Sequence, residues 1–167
     1  MTVQLLIANI LSLISTVVLI ISLFVKSKEN MLLLQAGNYI LGAFSNALAS
    51  SYAGACSNII SFFRNTYLSQ RKSLVATIVF SVLYIALGVL TNTRGFIGLL
   101  PVLASVEYTL FVYFAKTAQL LRYGALINLL LWMIHDICIA LYGALISDII
   151  LIVITTVSIF VKKDSEQ

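Results

Sequence analysis

The sequence predicts an all-α membrane protein: seven transmembrane helices, arranged as two parallel three-helix repeats joined by a linker helix. Three observations predict it. The chain of 167 residues is 61% hydrophobic and only 10% charged, with a mean hydropathy of +1.07, far from the composition of soluble domains. Its polar residues echo at an interval of 90: Asn38, Asn46, Tyr52, Ser57 and Asn58 return as Asn128, Asp136, Tyr142, Ser147 and Asp148. Finally, the basic residues gather at alternate ends of the apolar segments.

A span needs about 20 largely apolar residues, so the chain has room for six or seven. The first helix is expected over 3–25; no basic region precedes it, and it reads as a retained helix and not as a cleaved signal peptide. Lys26-Ser27-Lys28-Glu29-Asn30 ends it, and a second helix follows over 30–50. The small residues Ser50-Ser51-Tyr52-Ala53-Gly54 turn the chain into a third, 53–69, closed by Ser69-Gln70-Arg71-Lys72. The fourth, 73–91, has no ionisable group and no echo. Thr91-Asn92-Thr93-Arg94-Gly95 leads to a fifth over 96–115, and Lys116-Thr117 to a sixth over 118–140. Leu141-Tyr142-Gly143 is a weak turn signal before a seventh, 144–161; the run is too long for one span, and the echo requires a break there. The units are therefore 1–72, the linker 73–91, 92–163 and a solvated cytoplasmic tail, 164–167.

Charge fixes the expected direction. With the N-terminus outside, Lys26, Lys28, Arg64, Arg71, Lys72, Lys116, Arg122, Lys162 and Lys163 fall at inner ends, and only Arg94 falls outside. That bias favours N-out, C-in and an odd number of spans. A three-span unit ends on the opposite side from its start, so one extra helix is needed to make two such units parallel. Their axis then runs along the membrane normal.

This three-one-three plan resembles the SWEET and PQ-loop transporters over nearly the whole chain. The likeness lies in the plan: the Pro-Gln motif is missing, and the only proline is Pro101. It implies that Asn58 and Asp148, on the third helix of each unit, meet at a solute site. Shorter motifs resemble the YgjV-like family of bacterial inner-membrane proteins: Leu99-Leu100-Pro101-Val102, Trp132-Met133-Ile134-His135, and Ala53-Gly54-Ala55 followed by Asn58 and Arg64. That resemblance implies a fold and a place in the bacterial inner membrane more than a function.

Polar groups inside spans are costly and often functional, at about 2.5–3.5 kcal/mol for an ionisable one. Asn58, Asp148, Ser57 and Ser147 are expected to line a solute site, with Asn128, His135 and Trp132 on the sixth helix. Glu107, roughly 16 Å into its helix at 1.5 Å per residue, and Asp136 are candidates for proton coupling. The competing expectation is that such groups only tie helices together. His135 and Asp136 project about 100° apart, so they are not expected to pair. Arg64 is expected to snorkel to the headgroups, and Cys56 and Cys138 to be free, buried thiols.

A single histidine without a Cys/His cluster argues against a metal site, and no cofactor motif is present. No basic face suits nucleic acid, and no nucleophile motif suggests an enzyme. The expected partners are the lipid bilayer and a small polar solute, the expected function solute transport. The alternative is a non-transporting membrane scaffold or assembly factor.

Overall fold

The computed structural model describes residues 3–163, with side chains to residue 160; the expected tail, 164–167, lies outside the described residues. The described chain is seven α-helices: α1 (Val3–Phe24), α2 (Lys28–Leu48), α3 (Tyr52–Gln70), α4 (Leu74–Leu90), α5 (Gly95–Phe114), α6 (Ala118–Cys138) and α7 (Tyr142–Lys163). No boundary departs from its expected place by more than two residues, including the break before α7.

The turns follow from local chemistry. Ser27, Ser73 and Thr117 accept the backbone N–H of Asn30, Ala76 and Leu120 at 3.2, 3.2 and 3.3 Å, which satisfies one free donor at each helix start. At the far ends of α2 and α6, Ser50 and Ala140 take left-handed conformations, φ 57° and 58°. The next residues then donate back to Asn46 and Asp136 at 2.8 and 3.0 Å, closing both helices. These two turns lie 90 residues apart, as do both boundaries of α2 and α6.

Connections of three or four residues force neighbouring helices to run antiparallel. In space, α1, α2, α3, α5, α6 and α7 pack in that cyclic order, and α7 returns to α1; α4 stands outside against α3 and α5. Phe44, Phe63, Val79, Leu90, Phe114 and Phe160 are among the apolar side chains exposed around the bundle. Serine, threonine and asparagine are buried inside it. This is the polarity expected where the surrounding solvent is hydrocarbon.

Four helices are long and apolar enough to cross a membrane: α1, α5, α6 and Tyr142–Phe160 of α7. α4 is apolar but has 17 residues. α2 and α3 fall short because they bury Gln35, Asn38 and Asn46, and Asn58, Arg64 and Asn65.

The main apolar core sits at the end away from the N-terminus. There Leu23, Met31, Leu32, Leu68, Val112 and Leu121 pack together from five helices. A smaller cluster, Ala8, Ala49, Ile139 and Leu141, packs at the N-terminal end. At the former end two cations reach across the bundle to exposed helix carbonyls. Arg122 of α6 donates to Leu23 O at 3.3 Å and Val25 O at 3.2 Å, closing α1. Lys28 of α2 donates to Val112 O at 2.8 Å and Ala115 O at 2.9 Å, closing α5. A cation at a helix C-terminus meets both the unpaired carbonyls and the dipole. Arg122 is thus buried, with its charge held inside the bundle.

Arg64 overturns its expected role more completely. It does not snorkel; its exposure is 0%. Its guanidinium donates to Asn65 Oδ1 at 2.9 Å, Ser105 O at 3.2 Å, Thr109 Oγ1 at 2.9 Å and Tyr39 OH at 3.3 Å. The rings of Tyr39, Tyr84 and Tyr108 surround it at 5.8, 5.7 and 5.1 Å. Among the described residues no carboxylate is within salt-bridge distance of it. A guanidinium stays charged when buried, so carbonyl, hydroxyl and ring faces replace its water. This one side chain fastens α3 to α2, α4 and α5. Hydrogen bonds to a charged group contribute about 1.5–3 kcal/mol each, and a large truncation adds a cavity cost. Arg64→Ala is expected to lower stability in detergent by about 3 kcal/mol or more. Arg71→Ala, at an exposed position, is expected to stay within about 0.5 kcal/mol. Denaturant melts of the two variants check this; equal effects would contradict the buried cage.

Candidate functional site

A cavity of about 120 Å³ lies within the ring of six helices. All six supply its wall, and α4 supplies none of it. The site is polar because the inward faces carry small hydroxyl and amide residues at helical spacing. Ser12, Ser15 and Thr16 stand on α1, Asn38 and Asn46 on α2, and Asn128 and Asp136 on α6. Residues seven or eight apart share a helix face, which aligns Asn38 with Asn46 and Asn128 with Asp136.

Of the expected solute residues, Asn58, Asp148, Ser147, Asn128 and Trp132 line this cavity. Asn58 lies over Gly42; a Cβ at residue 42 would come within 3.1 Å of its amide nitrogen. Asn58 and Asp148 each stand six residues into their helices, at equal depth. Asp148 Oδ2 is buried without a hydrogen-bond partner. Asn128 donates to Ala104 O at 2.8 Å, tying α6 to α5. Ser147 donates to Gly143 O at 2.8 Å and is also hydrogen-bonded to Thr16, joining α7 to α1.

Ser57 and His135 do not line the cavity. Ser57 is buried with its hydroxyl oxygen unpartnered, because it faces one position round the helix from Asn58. His135 is buried behind the wall, and it corrects the expectation about its neighbour. Its Nδ1 lies 2.8 Å from Asp136 Oδ1 and its Nε2 lies 2.9 Å from Ser51 Oγ. The two residues lie in the last turn of α6. There the α2–α3 connection holds the imidazole from one side, and the two adjacent side chains bend together despite their divergent starts. An ionised carboxylate only accepts, so with Asp136 ionised Nδ1 carries the hydrogen and Ser51 donates to Nε2. Trp132 packs edge-on against the imidazole at 5.4 Å. His135 therefore orients Asp136, which does line the cavity.

Glu107 lies outside the cavity wall. Both its carboxyl oxygens are buried without a hydrogen-bond partner. Cys56 is half-buried and Cys138 exposed, so the expectation of two buried thiols fails for Cys138, which faces outward from α6. Both are free.

Sequence reasoning missed Asn38, Asn46, Tyr39 and the α1 hydroxyls as wall residues. A signal was present for two of them. Asn38 and Asn46 stand 90 residues before Asn128 and Asp136, so each was already the echo of a candidate.

Comparison with known proteins supplies the family. No curated protein and no solved structure matches the chain. A family model described as bacterial inner membrane protein, Imp-YgjV, matches residues 6–165, nearly the whole chain. The chain therefore belongs to the Imp-YgjV family of bacterial inner membrane proteins.

Proposed function

We propose that the protein is a seven-span carrier for a small polar solute, built on a SWEET-like plan. Two parallel three-helix units, 1–72 and 92–163, flank the linker 73–91, with the N-terminus outside and the C-terminus inside. The observation that carries this reading is the cavity. A scaffold would pair off its buried polar groups, yet Asn38, Asn46 and Asp148, three residues of one cavity wall, each keep an oxygen without a partner. Buried groups in native structures are nearly always satisfied, and the exceptions call for a reason. A solute that is bound and released is such a reason. The walls come from both units, as expected where sites form at a repeat interface. The matching boundaries of α2 and α6 and the left-handed turns at Ser50 and Ala140 support the parallel arrangement.

Asn58, Asp148, Ser147, Asn128 and Trp132 form the solute site in this reading. His135 positions Asp136, and Ser57 packs behind Asn58. Asp136 serves proton coupling from the wall, and Glu107 from outside it.

Three experiments check the proposal. A reporter fused after Gln167 is expected to read cytoplasmic and one fused after Asn92 external; a periplasmic signal at the C-terminus would overturn the span count. In a solute screen on purified protein, Asp148→Asn and Asn58→Ala are expected to weaken binding of the selected solute at least tenfold, about 1.4 kcal/mol, with melting little changed. A large loss of stability with binding intact would make the pair an interhelical tie instead. Glu107→Gln is expected to flatten the pH dependence of uptake in proteoliposomes, and an unchanged profile would remove it from coupling.

A further inference from the structure

One side chain of the cavity wall meets nothing with its polar end. Asn58 of α3 is 5% exposed and lines the cavity. Among the described residues, neither its amide nitrogen nor its amide oxygen has a hydrogen-bond partner. Neither atom is closed off, in contrast with Asn38 Oδ1, Asn46 Oδ1 and Asp148 Oδ2. Packing sets its place instead. A Cβ built on Gly42 of α2 would lie 3.1 Å from the amide nitrogen, 3.2 Å from the amide carbon and 3.3 Å from the amide oxygen. Near-equal distances to three atoms of one plane put Gly42 against the face of the amide. A face contact uses no hydrogen bond, so donor and acceptor stand together on the free edge.

Other wall residues add donors. Gln35 Oε1 accepts from Tyr108 at 2.9 Å and from Asn65 at 3.3 Å, while its amide hydrogens have no acceptor among the described residues. The amide hydrogens of Asn38 and the indole hydrogen of Trp132 have none either. Asn38 stands one turn from Gly42, on the same face of α2. Buried polar groups in native structures are nearly always satisfied, and inside a span the surrounding hydrocarbon satisfies none of them. An open donor–acceptor edge therefore calls for an occupant of the cavity.

We infer that the solute is a small uncharged primary amide, paired edge to edge with Asn58. This rests on the carrier reading above and names its substrate class. The solute's N–H donates to Asn58 Oδ1, and Asn58 Nδ2 donates to the solute's carbonyl. A water meets one of these atoms at a time. An amide meets both, because it carries donor and acceptor at the spacing of Asn58 itself. Its carbonyl oxygen has a second lone pair, for which the N–H groups of Asn38, Gln35 and Trp132 are the donors at hand. Charged solutes match the edge only by half. An ammonium offers no acceptor to the N–H groups, and a carboxylate offers no hydrogen to Asn58 Oδ1. The cavity of about 120 Å³ has room for only a few non-hydrogen atoms, at ~30 Å³ for each water-sized group.

The test uses the full chain in lipid nanodiscs and calorimetric titration with four probes of similar size. Acetamide carries donor and carbonyl together. Acetone keeps the carbonyl without donors, acetate puts a charge in place of the donor, and ethylene glycol supplies hydroxyls alone. Saturable binding of acetamide at millimolar concentration or below is expected, with the other three at least tenfold weaker. Asn58→Asp, which keeps the shape and loses the N–H, is expected to weaken acetamide at least tenfold. Gly42→Ala, which crowds the face of Asn58, is expected to weaken it severalfold. Gly37→Ala, on the same helix with nothing within 4 Å of the new Cβ, is expected to leave it unchanged. Alanine favours the helix at both glycines, so a difference between them is not a loss of fold. Equal effects of the two alanines, or equal binding of acetone or acetate, would overturn the paired edge. Equal binding of ethylene glycol would overturn the amide while leaving a small-solute carrier standing. No binding of acetamide to folded wild type would overturn the inference outright, whatever other solute the carrier is found to take.

Discussion

A polar group removed from water must find a partner inside the protein, and this constraint governs almost every feature of the bundle. In a hydrocarbon surrounding there is no solvent to correct a mistake. Helix starts are therefore sealed by Ser27, Ser73 and Thr117, and helix ends by the turns at Ser50 and Ala140. Carbonyls left over at α1 and α5 are met by Arg122 and Lys28 from across the ring. Arg64, the costliest side chain in the interior, has four hydrogen-bond partners and three aromatic faces. Against so much satisfaction, the unpartnered oxygens stand out: those of Asn38, Asn46 and Asp148 belong to cavity-wall residues, and those of Ser57, Glu107 and Thr155 lie elsewhere.

The cavity also has a definite place in the packing. The larger apolar core seals the end away from the N-terminus, where the cross-bundle cations sit as well. The N-terminal end is closed by a smaller apolar cluster and by polar ties between connections. Arg94 donates to Ala49 O at 3.2 Å, Ser51 meets His135, and Asn9 accepts from the backbone of Gly143. Ties of this kind exchange partners more readily than a packed apolar core, because water can replace a hydrogen bond but not a van der Waals contact.

The helices were legible in the sequence because apolar length and turn chemistry are local. Even the difficult break before α7 carried a weak turn signal, Leu141-Tyr142-Gly143, and an echo of the turn before α3. The cavity was partly legible: Asn58, Asp148, Asn128 and Asp136 interrupt apolar runs, and each had a counterpart 90 residues away. What failed depended on contacts between distant segments. Arg64 lies within two turns of the end of α3, where snorkelling is the ordinary outcome. Nothing local says that Tyr39, Tyr84 and Tyr108 converge on it from three other helices. The pairing of His135 with Asp136 depends likewise on Ser51, 84 residues earlier. Helical angle alone argued against it.

The most direct test of a solute-accessible cavity is thiol labelling from water. With Cys56 and Cys138 replaced by serine, Asn58→Cys and Ser147→Cys place a thiol on the cavity wall. Phe44→Cys and Phe63→Cys place one on the exposed apolar surface of α2 and α3. In native membranes, a charged, water-borne thiol reagent is predicted to modify the first pair and to spare the second. Labelling confined to the apolar surface, with residues 58 and 147 inert, would contradict a hydrated cavity and the carrier built on it.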